Sequence, residues 1–141
     1  MSNNRFKFRV YSNIAQNYID EERLKYFFIG ADGELYLQRK DGSVLPINQE
    51  QYIVEFYTGL PDKNGKLIYK GDIFKAIVIN SFPDDKCLNK TIIGQVSYFA
   101  KECMFAFSSY SPINLSEIEI IGNIHENPEF LEQSNLIKVE K

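Results

Sequence analysis

Between Phe56 and Phe74 the chain reads Phe-Tyr-Thr-Gly-Leu-Pro-Asp-Lys-Asn-Gly-Lys-Leu-Ile-Tyr-Lys-Gly-Asp-Ile-Phe, and this spacing of turn residues admits few architectures. An apolar, β-branched run ends at Thr58, and Gly59, Leu60 and Pro61 bend the chain. Asn64-Gly65 offers a tight hairpin turn, because both residue types tolerate positive φ. Ile68 and Tyr69 follow as a short strand, and Gly71-Asp72 marks entry into the apolar run after it. Strands that start and stop at such short intervals predict a small antiparallel barrel.

The rest of the sequence arranges itself around that stretch. Arg5-Phe-Lys-Phe-Arg-Val-Tyr11 alternates strictly, which predicts a half-buried strand with Phe6, Phe8 and Val10 inward and Tyr11 outward. Residues 18–24 are polar and suit a single helical turn. Two Asp-Gly turns, Asp32-Gly33 and Asp41-Gly42, divide residues 25–47 into a three-stranded meander. The polar break at residues 48–51 separates this N-terminal meander, residues 1–50, from a barrel over residues 51–141. Residues 72–79 read as a core strand, residues 80–89 as a loop, and residues 91–99 and 103–108 as a hairpin with Ile93, Tyr98, Phe105 and Phe107 inside. Residues 115–121 alternate acidic and aliphatic side chains, as a last strand would. Asn127-Pro128-Glu129 then starts a short helix, with Asn127 as N-cap and Pro128 at the first helical position.

Composition supports a β protein. Eleven Phe and nine Tyr in 141 residues suit pleated, half-buried surfaces. A formal charge of -3 argues against a broad phosphate-binding surface. Cys87 and Cys103 lie outside any Cys-x-x-Cys spacing, and they read as reduced thiols of a cytoplasmic protein, with one disulfide as the alternative. The N-terminus lacks the apolar core of a signal peptide, and no run approaches the roughly 20 apolar residues needed to span a bilayer.

Residue patterns that carry chemistry are few. One His and two distant Cys give no metal-ligand set, and no glycine pattern forms a nucleotide-binding loop, so neither metal nor cofactor is expected. His125 follows the last strand without a nucleophile or orienting partner at a recognisable spacing, and reads as a turn residue. The carboxylate pairs Asp84-Asp85, Glu117/Glu119 and Glu126/Glu129 could serve acid–base catalysis, but solvation and helix-end electrostatics account for them. An enzyme is therefore not expected. Lys63, Lys66 and Lys70 cluster around the Asn64-Gly65 turn beside Tyr57 and Tyr69. Such a tip could hold a nucleic-acid backbone and stack bases. The simpler reading is that the lysines keep the hairpin soluble and the tyrosines fill the barrel.

The central stretch from Tyr57 to Ile73, with Tyr57, Thr58, Gly59, Leu60, Asn64, Gly65, Ile68, Tyr69, Gly71 and Asp72 as its fixed points, resembles the YopX family of phage and prophage proteins. Arg5-Phe-Lys-Phe-Arg9 is similar to that family's opening strand, and Ile118-Glu-Ile-Ile-Gly-Asn-Ile-His-Glu-Asn-Pro-Glu-Phe-Leu131 to its closing strand and helix start. The resemblance implies a mainly β protein with an SH3-like, partly open barrel, encoded by a phage or an integrated element of a bacterium. It assigns no reaction. The function expected is a non-enzymatic interaction module that binds a protein partner or itself, with nucleic-acid binding as the alternative and a site built on His125 and carboxylates as a second.

Overall fold

A computed structural model describes residues 7–77, 91–100, 104–107 and 113–132. The 80–89 loop with Asp84, Asp85 and Cys87, the N-terminal residues through Phe6, Cys103 and the tail from Gln133 lie outside the described residues. The protein is mainly β, and an N-terminal antiparallel meander accompanies an SH3-like, partly open barrel. The chain forms two compact units, Met1–Phe56 and Tyr57–Lys141.

In the first unit, β1 (Phe8–Ser12) pairs antiparallel with β2 (Asn17–Tyr18) and with the first half of β6 (Tyr52–Pro61). A single helical turn, α1 (Glu21–Leu24), follows β2, and its N-cap Asp20 accepts the Arg23 N–H at 2.9 Å. β3 (Phe27–Ile29), β4 (Leu35–Gln38) and β5 (Val44–Pro46) form the expected meander. Val10 and Leu35 are fully buried. Tyr11 is buried too, against the outward placement that alternation predicts. Its ring meets Tyr18 edge-on at 5.1 Å, so β2 covers the side of β1 that a solvated strand would leave open.

β1 also carries a buried ion pair. Glu55 is 2% exposed, opposite Arg9 in the register. Arg9 Nε and the Tyr18 hydroxyl both donate to Glu55 Oε1 at 2.8 Å, and the Arg9 guanidinium lies 4.5 Å from the centre of the Tyr18 ring. A carboxylate this deep is tolerated because charged and neutral donors converge on it.

In the second unit, the far half of β6 pairs with β7 (Leu67–Tyr69). β8 (Asp72–Ile77) lies between β9 (Thr91–Phe99) and β11 (Glu119–Asn123), and β10 (Met104–Phe107) pairs with β9, giving a curled sheet in the order β10-β9-β8-β11. Ile68, Phe74, Ala76, Val96, Ile118 and Ile120 form the core, with Ile92, Phe107 and Ile113 packed against it. The core face of β9 is thus the one with Ile92, Gly94 and Val96. Ile93 is half-buried, and Tyr98 is 45% exposed near the strand's end, contrary to the core roles expected of both.

Three further departures have local causes. β6 does not end at Thr58 but continues to Pro61, because Gly59 at φ +94° lets the strand bulge without breaking. Residues 115–117 form a 3₁₀ turn rather than strand, since Asn114 Oδ1 accepts the Ser116 N–H at 3.1 Å and starts a turn; β11 begins only at Glu119. The Asp-Gly and Asn-Gly turns are three-residue loops, not two-residue ones. In each, only the glycine has positive φ, and paired bonds close the loop, as with Gly65 N–H to Asp62 O and Asp62 N–H to Lys66 O. Helical residues 129–132 follow Pro128 as expected.

Candidate functional site

The β6–β7–β8 stretch is held by its own polar groups. Tyr57 and Tyr69 are cross-strand partners with ring centres 5.8 Å apart, and Tyr57 is 6% exposed. Thr58 Oγ1 accepts the Leu60 N–H at 3.3 Å across the bulge, and Leu60 itself is exposed. Asn64 and Gly65 form the loop, and Ile68 enters the core. Gly71, at φ +91°, donates its N–H to Val96 O and accepts from Ile124 N–H, both at 2.9 Å. Asp72 is buried, and its Oδ2 accepts the Tyr69 N–H at 2.8 Å.

Asp62 is the residue that sequence reasoning passed over. It is buried, its Oδ1 accepts from the N–H groups of Asn64 and Lys66 at 2.9 Å, and its Oδ2 accepts from Ile120 N–H at 3.0 Å. Burial works to raise its pKa. The bonds from Ile120, Lys66 and Asn64, with the Lys66 charge, outweigh burial and hold the carboxyl below its ordinary 3.8. The first two bonds were legible in the spacing Asp-x-Asn-Gly, since an Asp two residues before Asn-Gly can bond back into the loop. The third reaches 58 positions along the chain and has no local signature.

The three lysines are exposed. Lys63 Nζ lies 3.3 Å from Glu119 Oε2, so the hairpin tip meets the start of β11 through an ion pair, and the Lys63 N–H donates to the O of Ile118, the residue before that strand, at 2.8 Å. Beside it lies an open groove of about 240 Å³ lined by Lys63, Lys75, Ala76, Ile77, Thr91, Glu117 and Glu119. It carries two lysines and two glutamates, and Glu119 is the register partner of Lys75. The structure therefore gathers Lys63 and the Glu117/Glu119 pair at one place. Tyr57, packed and covered, presents no ring face there.

His125 is half-buried in the turn after β11, where Asn123 Oδ1 accepts its N–H at 3.0 Å and that of Glu126 at 2.9 Å. It is not among the residues lining the groove. Asn127 Oδ1 turns back to accept the Asn123 N–H at 3.3 Å. A Cβ on Gly122 would stand 2.7 Å from Asn127 Cγ, so the Asn127 side chain sits where only glycine leaves room. Glu126 and Glu129 are exposed. Among the described residues, no three His, Cys, Asp or Glu come together to hold a metal ion, and no helix is long and apolar enough to cross a membrane.

Among the described residues of the second unit, the largest concentration of exposed apolar side chains lies where β9 ends and β10 begins. Phe99 and Met104 are opposite one another and 46% and 50% exposed. On the other face Tyr98 meets Phe105 at 5.2 Å. Among the described residues, β10 pairs on one side only.

This chain is similar to the crystal structure of protein EF1440 from Enterococcus faecalis, with a TM-score of 0.54 and 23% identity over 89% of this chain and 96% of that one. That likeness is one of fold. No curated protein matches the chain. A family model described as YopX protein matches residues 7–132, from the start of β1 through the Gly-bend strand β6, the Asp62 loop and the Gly122–Asn127 turn. The chain belongs to the YopX family.

Proposed function

We propose that this protein is a non-enzymatic interaction module that associates with a second copy of itself through β10 and the β9–β10 tip. The observation that carries the reading is that tip: four large apolar side chains, Tyr98 and Phe99 at the end of β9 and Met104 and Phe105 on β10, the strand that ends the sheet among the described residues. The β10 sequence, Met-Phe-Ala-Phe, has neither the charge nor the proline with which natural edge strands discourage pairing. Two identical strands can pair antiparallel about a two-fold axis, with main-chain hydrogen bonds for affinity and the Phe99–Met104 side chains buried beside them. Family membership supports a phage or prophage origin in a bacterium, and with it a cytoplasmic place of action.

Light scattering over a concentration series tests this. A particle of twice the 16.4 kDa chain mass is expected, and Met104→Lys or Phe99→Glu is expected to return it to monomer with little change in melting temperature. A wild-type protein that stays monomeric at the highest attainable concentration overturns the reading.

A further inference from the structure

The meander of the first unit carries a second apolar surface, independent of β10. The register sets Phe28 opposite Tyr36 and Tyr36 opposite Pro46, so each of the three strands contributes one ring to the same face. The Phe28 and Tyr36 rings are stacked, 5.4 Å between centres and 17° between planes. Phe28 is 39% exposed, Pro46 is exposed and Tyr36 is half-buried. The alternate positions Phe27, Leu37 and Leu45 are each better covered than Phe28 and Pro46, so the ring row stands on the more solvated face, where polar residues are the rule.

The row is fixed before any ligand arrives. The Tyr36 hydroxyl donates to Asp32 Oδ2, and Asp32 Oδ1 accepts the Glu34 N–H at 3.0 Å. The Tyr36 bond, then the Glu34 bond, keep the Asp32 carboxyl below its usual pKa, hence charged at neutral pH. Tyr36 also closes over the bare backbone of Gly30, where a Cβ would stand 2.8 Å from Tyr36 Cε2. A ring held this way loses little freedom on binding.

We propose that the Phe28–Tyr36–Pro46 face is a docking shelf for an extended, proline-rich peptide that carries a basic residue. Three rings on adjacent strands span about 10 Å. A polyproline II segment presents residues i and i+3 on one side about 9 Å apart, needs no partner for its backbone and is preformed. Surfaces lined by aromatic rings are a recurring way to hold it. The charge beside the row selects the flanking residue. Asp32 and Glu34 stand at the turn end of the shelf, where they attract Arg or Lys and repel the phosphates of a nucleic acid.

The probe is a fluorescein-labelled dodecapeptide of two Pro-Pro-Leu-Pro-Pro-Arg repeats, followed by anisotropy, with the same peptide carrying Glu for Arg and with oligo-dT as comparators. Saturable binding of the Arg peptide is expected, at least about fivefold tighter than the Glu peptide. Phe28→Ala and Tyr36→Ala are each expected to weaken it about tenfold. Glu34→Gln should reduce the Arg-over-Glu preference while leaving the fold intact. Amide shifts of the labelled wild-type protein locate the peptide without any variant, and they should centre on residues 28, 36 and the neighbours of Pro46. Absence of saturable binding, shifts centred on another surface, or oligo-dT binding more tightly than the Arg peptide overturns the proposal.

Discussion

Asp62 joins three backbone donors from two distant parts of the chain, and its removal leaves the Ile120 N–H buried without an acceptor. Hydrogen bonds to a charged group are worth roughly 1.5–3 kcal/mol, and an orphaned donor adds its desolvation cost, so Asp62→Ala should lose about 3 kcal/mol in urea unfolding. Asp62→Asn keeps the shape and one acceptor oxygen, and should lose about half of that. The pH dependence has a definite sign. The folded carboxyl titrates below its ordinary 3.8, so between the two values the unfolded chain binds more protons than the folded one. The contribution is complete above the ordinary value and is lost as pH falls through the folded one. Melting temperatures from pH 7 to pH 2.5 should therefore fall more steeply for wild type than for Asp62→Asn, and parallel curves would show that the carboxylate's charge plays no part.

At the scale of elements, one loop geometry is used three times among the described residues, at residues 30–34, 39–43 and 62–66, each with a glycine at positive φ in its third loop position. Gly65→Val places a β-branched side chain at φ +85°, and Gly71→Val does so at φ +91° in a buried position; each should cost about 2 kcal/mol or more in denaturant unfolding. Lys63→Ala loses an ion pair whose side chains are 39% and 36% exposed, and should shift stability by no more than about 0.5 kcal/mol. Equal losses for all three would mean that backbone geometry does not govern the loop. These glycines were legible because positive φ is a local demand answered by one residue type. The meander and the entry into β8 were legible for the same reason. Tyr11 was not, because β2, only two residues long, covers it, and a strand that short leaves no periodicity. The start of β11 was not, because Asn114 imposes a turn on residues whose alternation reads as strand. The Lys63–Glu119 pair was not, since neither residue marks its partner 56 positions away.

At the scale of the molecule, each unit has buried apolar residues of its own: Val10 and Leu35 in the first, the cluster around Phe74 in the second. Leu35→Ala should cost about 3 kcal/mol and Ile68→Val about 1 kcal/mol. Urea unfolding of each single variant checks these losses, and clearly smaller ones would show that the surrounding side chains close the space left behind. β6 nevertheless belongs to both units, since Tyr52–Phe56 face β1 and Tyr57 onward face β7. A strand that serves two partners is exposed to a particular accident. Deleting or inserting one residue would turn every later side chain to the opposite face, and the error would spread from one core to the next. Between Tyr57 and Pro61 the strand advances four residues while its partner advances two, from Tyr69 to Leu67. That slack, with Gly59 at its centre, is where the chain can gain or lose a residue while Val54 and Ile68 keep their faces, so small length changes among relatives should collect there.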